Sequence, residues 1–439
     1  MSIQEKLQKI MIEIKKGAHP SDLAEYIEDF SDEQKAELFD ILSDEDAASI
    51  IQEMEDFDQV TLFRLLTKKR ASAILKEMDT DDAADLLADL PPQESKALLE
   101  MIDGEGGELE GLLKYPEDTA GGIMTTDFIS LPQSMVVEDA IQRLREIAPD
   151  AETIYYVYVV DDEMRLIGVL SLRDLISADD GSTLKEIMSE NVISVNAEID
   201  QEEVARIVSR YDLLAAPVVD NHGRLLGIIT VDDVLDVLEE EATEDIYKLA
   251  GTSEVEGVEL IDATVAQVVS RRLPWLFISL LGGLLAGSVI GIFDQTLETL
   301  VVLAVYFPVI MDMGGNVGTQ SSTIFVRGIA TGEIEREEVW IYFYKEVRTG
   351  LTMGLICGAI VSFVPILWQG QPYLGLVVGF SMAITVSLAA LIGTLVPLLC
   401  NEIGIDPAIT AGPFVTTIKD VTGLLIYLGT ATLFLDVLS

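Results

Sequence analysis

Two apolar stretches in the C-terminal half carry oxygen-bearing side chains at positions where lipid would ordinarily be met. FPVIMDMGGNVGTQSST, residues 307–323, holds Pro308, Asp312, Gly314, Gly315, Asn316, Thr319 and Gln320. DPAITAGPFVTTIKDVTGLLIY, residues 406–427, holds Gly412, Pro413, Thr416, Thr417, Lys419 and Asp420. A charge near a bilayer centre costs on the order of 3 kcal/mol or more, so such residues ordinarily face a cavity. Thr416, Asp420, Gly423 and Tyr427 follow at helical spacing, which sets a carboxylate, a hydroxyl and bare backbone on one face. Gly-Gly and Gly-Pro pairs are expected to open the helices and free backbone carbonyls toward water or protein. Lys419 and Asp420 point about 100° apart on a helix, which is poor placement for a direct ion pair. The ligand set is carboxylate, hydroxyl, amide and carbonyl oxygen. His19 and His222 lie outside these stretches, and Cys357 and Cys400 sit in apolar sequence with no thiolate-site spacing. Hard oxygen donors with few carboxylates suit an ion that keeps much of its water, which favours Mg2+.

These residues need membrane helices to hold them. Leu273 to Phe293 is free of charge and about long enough to cross ~30 Å of hydrocarbon. Further spans are expected at Thr299–Val326, Trp340–Trp368, Tyr373–Cys400 and Pro407–Leu438, five in all. Arg271 and Arg272 precede the first span, and Arg327, Arg336, Lys345 and Arg348 surround the second connection between spans, whereas DQTLE and QGQPY carry no base. The positive-inside rule then places residues 1–272 in the cytoplasm and Ser439 outside the cell membrane. Gly283, Gly287 and Gly291, and again Gly350, Gly354 and Gly358, form small-residue stripes read as tight helix packing.

Charge divides the chain at the same place. The formal net charge is -47 while mean hydropathy is +0.35. Acids outnumber bases by 42 in residues 1–270 and by only 5 in residues 271–439. So acidic a protein would be repelled by phosphates, which excludes a nucleic-acid partner. The start, MSIQEKLQKI, has no long apolar run and does not read as a cleaved signal peptide.

Within the acidic half, residues 24–102 repeat every twelve residues, from AEYIEDF at 24 through AELFDIL at 36 to KALLEMI at 96. The spacing predicts short helices stacked as a small solenoid, with Ser31, Ser43, Thr80 and Pro91 at their starts. A second duplication fills 123–242. Ile123-Met124 recurs 64 positions later as Ile187-Met188, and GVLSLRD at 168–174 recurs 59 positions later as GIITVDD at 227–233. Each copy reads as strand, helix, strand, turn, strand, helix. DNHGR at 220–224 explains His222 as a hairpin residue.

These two copies resemble a tandem pair of CBS domains, and that resemblance makes Ser171, Asp174, Thr230 and Asp233 candidates for binding an adenine nucleotide such as ATP. Asp at a helix start also caps it, so the segment has a fold-level use as well. Helical repeat, CBS pair, acidic helix and five spans with GGNVGTQ and GPFVTTIKD together resemble the MgtE family of magnesium channels. The implied fold is multidomain: a cytosolic all-α helical-repeat domain over 1–120, α/β tandem CBS domains over 121–242 (121–182 and 183–242), a linking plug helix over 243–270, and a five-helix α transmembrane domain over 271–439. The resemblance implies a homodimer with no enzymatic activity and no catalytic residues. Its pore is formed by the second and fifth spans of both copies, and hydrated Mg2+ sits at Asp420. Thr416, Asn316 and Gly412 are the other pore candidates, Gly412 through its carbonyl. Glu202, Asp212, Asp233, Asp236, Glu241, Glu244, Asp245 and Asp406 are the implied regulatory Mg2+ ligands, joined by Asp79, Asp81, Asp82 and Asp85 of the repeat.

Independently of the resemblance, acidic faces repel, and divalent ions bridging them would favour a compact state. Closure at high internal Mg2+ follows as negative feedback. Other classes compete. An intramembrane aspartyl protease needs two membrane aspartates, and Asp312 and Asp420 qualify by position, although their M-D-M and K-D-V contexts do not match. An ion-coupled secondary transporter of divalent cations would differ by its dependence on a Na+ or H+ gradient. A CBS sensor with a simple membrane anchor is disfavoured by the oxygen-bearing spans.

Overall fold

A computed structural model of the protein describes residues 3–28, 30–102, 106–148, 151–253, 260, 263–334 and 338–438. Arg336, Ser439 and residues 254–259 and 261–262 of the expected linker lie outside the described residues. The chain divides into two compact units, Met1–Glu239 and Glu240–Ser439.

The first unit begins with short helices of 7 to 13 residues from Ile3–Lys15 to Gly106–Leu112. Each is too short to stand alone and buries one apolar face against the helix two places along, as Leu38 and Phe39 of Asp32–Ile41 show by having no exposed surface. Ser31, Ser43 and Pro91 occupy helix caps as expected. Thr80 does not. Asp79 takes the cap of Thr80–Asp89, and the Thr80 hydroxyl turns instead to the CBS segment, where it accepts the Thr126 N–H at 2.9 Å and meets the Thr125 hydroxyl at 3.1 Å.

The duplicated part forms two three-stranded sheets. One is β1 (Ser130–Pro132), β2 (Tyr156–Val160) and β3 (Leu166–Ser171), and the other is β4 (Val195–Asn196), β5 (Ala215–Val219) and β6 (Leu225–Thr230). Both are parallel in the first pairing and antiparallel in the second. His222 sits in the β5–β6 turn, its N–H donated to Asp220 Oδ1 at 2.8 Å.

One helix, Val231–Ala250, starts in the first unit and runs without a break into the second, so the expected boundary at 242 falls inside it. The second unit holds a first membrane helix Val265–Ile292, a second Phe307–Ala330 preceded by a tight turn of helix at Val301–Tyr306, a third Val339–Gln369 and a fourth Pro372–Glu402. Among the described residues these four are long and apolar enough to cross a membrane. The fifth expected span is interrupted: Pro407–Ala411 ends at Gly412, and the fifth membrane helix, Pro413–Leu433, carries Lys419 and Asp420 about two turns from its start.

The two glycine stripes differ. A Cβ at Gly354 would stand 2.4 Å from the Ala383 carbonyl and one at Gly358 2.4 Å from the Gly379 carbonyl, so this stripe packs the third helix onto the fourth. Added Cβ atoms at Gly283, Gly287 and Gly291 would meet open space, so the expectation of packing fails there within one chain. The buried face of the first helix is one residue out of register, on Gly282, Ala286 and Val289, and it is Gly282 that abuts Thr417 of the fifth helix.

Candidate functional site

In the first unit, the acids of the Thr80–Asp89 helix meet those of the second CBS copy. Asp81 is only 9% exposed, and burial, followed by the charges of Asp233, Asp82 and Glu152, pushes its carboxyl well above the usual range. Burial raises Asp82 to about 6 against a lowering hydrogen bond from Gln52, and raises Glu152 to about 8 with Asp79 and Asp233 adding to it. Gln52 donates its amide to both Asp79 and Asp82. No Lys or Arg forms an ion pair with Asp79, Asp81, Asp82, Glu152 or Asp233 among the described residues. Asp236 is exposed one turn beyond Asp233 and is also raised, by burial first and then by Asp232 and Glu239. Glu152 was not singled out in the sequence, and a lone acid in a loop gives no signal of its tertiary neighbours.

Glu202 and Asp212 lie at opposite ends of the helix Gln201–Tyr211, about 15 Å apart at 1.5 Å per residue, so one chain does not bring them to a common ion. Asp212 closes that helix with a left-handed backbone, φ 51°. The nucleotide candidates are engaged in capping. Ser171 donates its hydroxyl to Asp174 Oδ2 at 2.6 Å, and Thr230 donates to Asp233 Oδ2 at 2.6 Å. The Ser171 hydrogen bonds hold Asp174 below its ordinary range, whereas burial outweighs those of Thr230 and raises Asp233. The repeated motif is therefore chemically unequal in its two copies.

In the second unit, the end of Val231–Ala250 meets the loop before the fifth membrane helix. Lys248 Nζ lies 2.6 Å from Glu244 Oε1 and 2.7 Å from Asp406 Oδ2. Asp406 also accepts the Ala408 N–H at 2.7 Å, capping Pro407–Ala411. Asp245 is raised to about 6 by burial, then by Asp406, with Lys248 opposing and Glu241 and Glu244 adding. A Cβ at position 412 would stand 3.2 Å from the Leu249 carbonyl, so Gly412 permits the acidic helix to lie against the chain break. The Gly412 carbonyl accepts the Thr416 N–H at 3.1 Å, leaving one of its two lone pairs for any further partner.

Gly412, Thr416 and Asp420 follow at four-residue spacing along one face of the fifth helix. The second helix exposes Asp312, Asn316, Thr319 and Gln320, with Asn316 Nδ2 donating to Asp312 Oδ2 at 3.2 Å. Asn316, Thr319, Gln320, Thr323 and Ile324 line an open groove of about 370 Å³. Two expectations are corrected here. Gly314 and Gly315 do not open the helix, which runs unbroken from Phe307 to Ala330. Lys419 and Asp420 do meet: Nζ reaches 2.8 Å from Asp420 Oδ1, because a four-carbon stem can curl back across the 100° that separates the two Cα–Cβ bonds. The approach is one of charge, since no donor hydrogen-bonds to Asp420 Oδ1 among the described residues. A further buried carboxylate, Glu346 of the third helix, accepts the Ser321 hydroxyl at 2.6 Å. Glu346 lies inside the expected third span and was not singled out in the sequence. Among the described residues no three Asp, Glu, His or Cys side chains cluster closely enough to hold a bare metal ion.

Known families match the chain along most of its length. Residues 18–118 match the MgtE intracellular N domain, 120–181 and 184–240 match CBS domains, and 307–430 match MgtE, described as a divalent cation transporter. The magnesium transporter MgtE of Thermus thermophilus is 46% identical over 75% of this chain and 73% of its own length. That of Bacillus subtilis is 41% identical over 74% and 71%. The crystal structure of the cytosolic domain of the Mg2+ channel MgtE in complex with ATP superposes with a TM-score of 0.51 at 41% identity, covering 54% of this chain and 98% of that one. Fold and matches define the class, a multi-pass membrane protein with a cytosolic N domain and tandem CBS domains. The chain belongs to the MgtE family.

Proposed function

We propose that this protein is a Mg2+ channel that admits magnesium to the cytoplasm and closes as cytosolic Mg2+ rises. The observation that carries it is the oxygen-bearing face of the second membrane helix, exposed at Asp312, Asn316, Thr319 and Gln320, with exposed Thr416 and half-buried Asp420 on the fifth. Lipid would leave Asp312, Asn316, Gln320 and Asp420 unsolvated at several kcal/mol, so the faces border water, and a second copy supplies the other wall. Asp420 holds the ion through its hydration shell, with Thr416, Asn316 and the Gly412 carbonyl as outer partners. A hydrated ion needs few direct ligands, which suits faces that offer two carboxylates per chain, Asp312 and Asp420.

Gating follows from the acids. Glu202, Asp212, Asp233, Asp236, Glu241, Glu244, Asp245 and Asp406 are the regulatory ligands, and Mg2+ between CBS, N-domain and plug-helix surfaces relieves their repulsion and favours the closed state. The N-terminal part is cytoplasmic and Ser439 external. ATP modulates through Ser171, Asp174, Thr230 and Asp233, a reading supported by the ATP-bound cytosolic domain of the relative. The test is a bilayer recording of the reconstituted full chain with internal Mg2+ titrated. Inward Mg2+ current that falls as internal Mg2+ rises is expected. Flux that requires a Na+ or H+ gradient would replace the channel with a coupled transporter.

A further inference from the structure

The Lys419 side chain is buried, with 7% of its surface exposed, inside a domain read as membrane-embedded. Its ammonium donates to the Met311 carbonyl of the second helix at 3.0 Å and stands 2.8 Å from Asp420 Oδ1. The room for it comes from Gly315, where a Cβ would stand 2.6 Å from Nζ, and the neighbouring Gly314 would bring a Cβ to 3.9 Å from the lysine stem. The Gly-Gly pair thus serves as a notch through which a fixed positive charge from one helix is seated on the backbone of another. A buried ammonium is costly unless paired, and its partners here are one carbonyl and the carboxylate assigned above to the travelling ion.

We propose that Lys419 is a tethered cation of the pore site, sharing Asp420 with each passing Mg2+ and setting how tightly the site holds it. This rests on Asp420 being the ion's ligand. A bare carboxylate in a low-dielectric site would bind a divalent ion too firmly to release it, and conduction needs binding weak enough to leave. An ammonium has no lone pair and cannot ligate Mg2+, so it acts through charge alone. It neutralises Asp420 when the site is empty and repels the ion when the site is full. Its stem and the Met311 carbonyl keep it from being carried away.

A role confined to tying the fifth helix to the second makes the opposite forecast. Loosening the helices would weaken Mg2+ handling, whereas removing the charge should tighten it. The experiment is initial Mg2+ uptake by the full-length protein in liposomes with a Mg2+-free lumen, titrating external Mg2+. Lys419→Gln removes the charge while keeping a donor for the Met311 carbonyl, and Lys419→Met removes both. Both are expected to lower half-saturating Mg2+ about ten-fold or more, the size of effect that a unit charge within ~4–6 Å exerts on a neighbouring equilibrium, and to lower maximal uptake. Half-saturation unchanged or raised in Lys419→Gln overturns the proposal, even where Lys419→Met fails to fold. Asp420→Ala separates this failure from that of the pore reading. Uptake intact in that variant removes Asp420 as the ligand, whereas uptake lost there with Lys419→Gln unchanged sinks the tethered cation alone.

Discussion

The acids of the first unit and those of the second are handled in opposite ways. Asp79, Asp81, Asp82, Asp233 and Glu152 crowd together with only amide and hydroxyl groups to meet them, and the carboxyls of Asp81, Asp82, Asp233 and Glu152 are pushed up. In the second unit two acidic sites carry a lysine, Lys248 between Glu244 and Asp406 and Lys419 against Asp420, while among the described residues Asp312 and Glu346 meet only an amide and a hydroxyl. The first arrangement must draw its compensating charge from solution and is suited to sensing. The second is partly neutralised in advance, so an ion arriving there competes with a charge the protein already owns.

The largest effect expected from breaking this contrast is at Asp420, where Asp420→Ala should abolish Mg2+ current in reconstituted bilayers; normal current would remove the pore assignment. Next, replacing Glu241, Glu244 and Asp245 together with Gln, Gln and Asn should leave a current that internal Mg2+ no longer suppresses. Persistent suppression would show that this helix is not the gate. A smaller effect is expected in the cluster without a lysine. Asp81→Asn relieves a buried repulsion from Asp233, Asp82 and Glu152 and should stabilise the Mg2+-free protein by on the order of 1 kcal/mol, the worth of roughly one pKa unit of relieved repulsion. A lower melting temperature in EDTA would contradict the crowding.

The smallest effect is with pH. Carboxyls raised in the folded state, Asp82 and Asp245 to about 6 and Glu152 to about 8, bind more protons folded than unfolded between their ordinary and raised values. Their contribution to stability is then fully present below their ordinary range and is lost as pH rises through about 6 for Asp82 and Asp245 and about 8 for Glu152. The EDTA-treated protein should melt lower at pH 8.5 than at pH 5.5, and saturating Mg2+ should flatten the difference. A rise in melting temperature over that range would show that the acids are stabilised in their ionised form.

Sequence alone carried the parts of this protein that depend on periodicity and bulk charge. The twelve-residue repeat, the CBS duplication and the apolar spans are all local patterns, and hydropathy and spacing encode them directly. Tertiary structure decided what depends on reach between elements. The 100° separation of Lys419 and Asp420 argued against their meeting, but a flexible stem and a glycine notch on another helix bring the charges together. Likewise Gly314 and Gly315 read as a place for the helix to open, when they are a place for a side chain to enter. The register of the first membrane helix, Gly282 inward and Gly283 outward, turns on a rotation of about 100° that a run of apolar residues leaves unspecified. Glu152 and Lys248 acquire their meaning only from neighbours distant in sequence, because a charge is defined by its surroundings and those are assembled by folding.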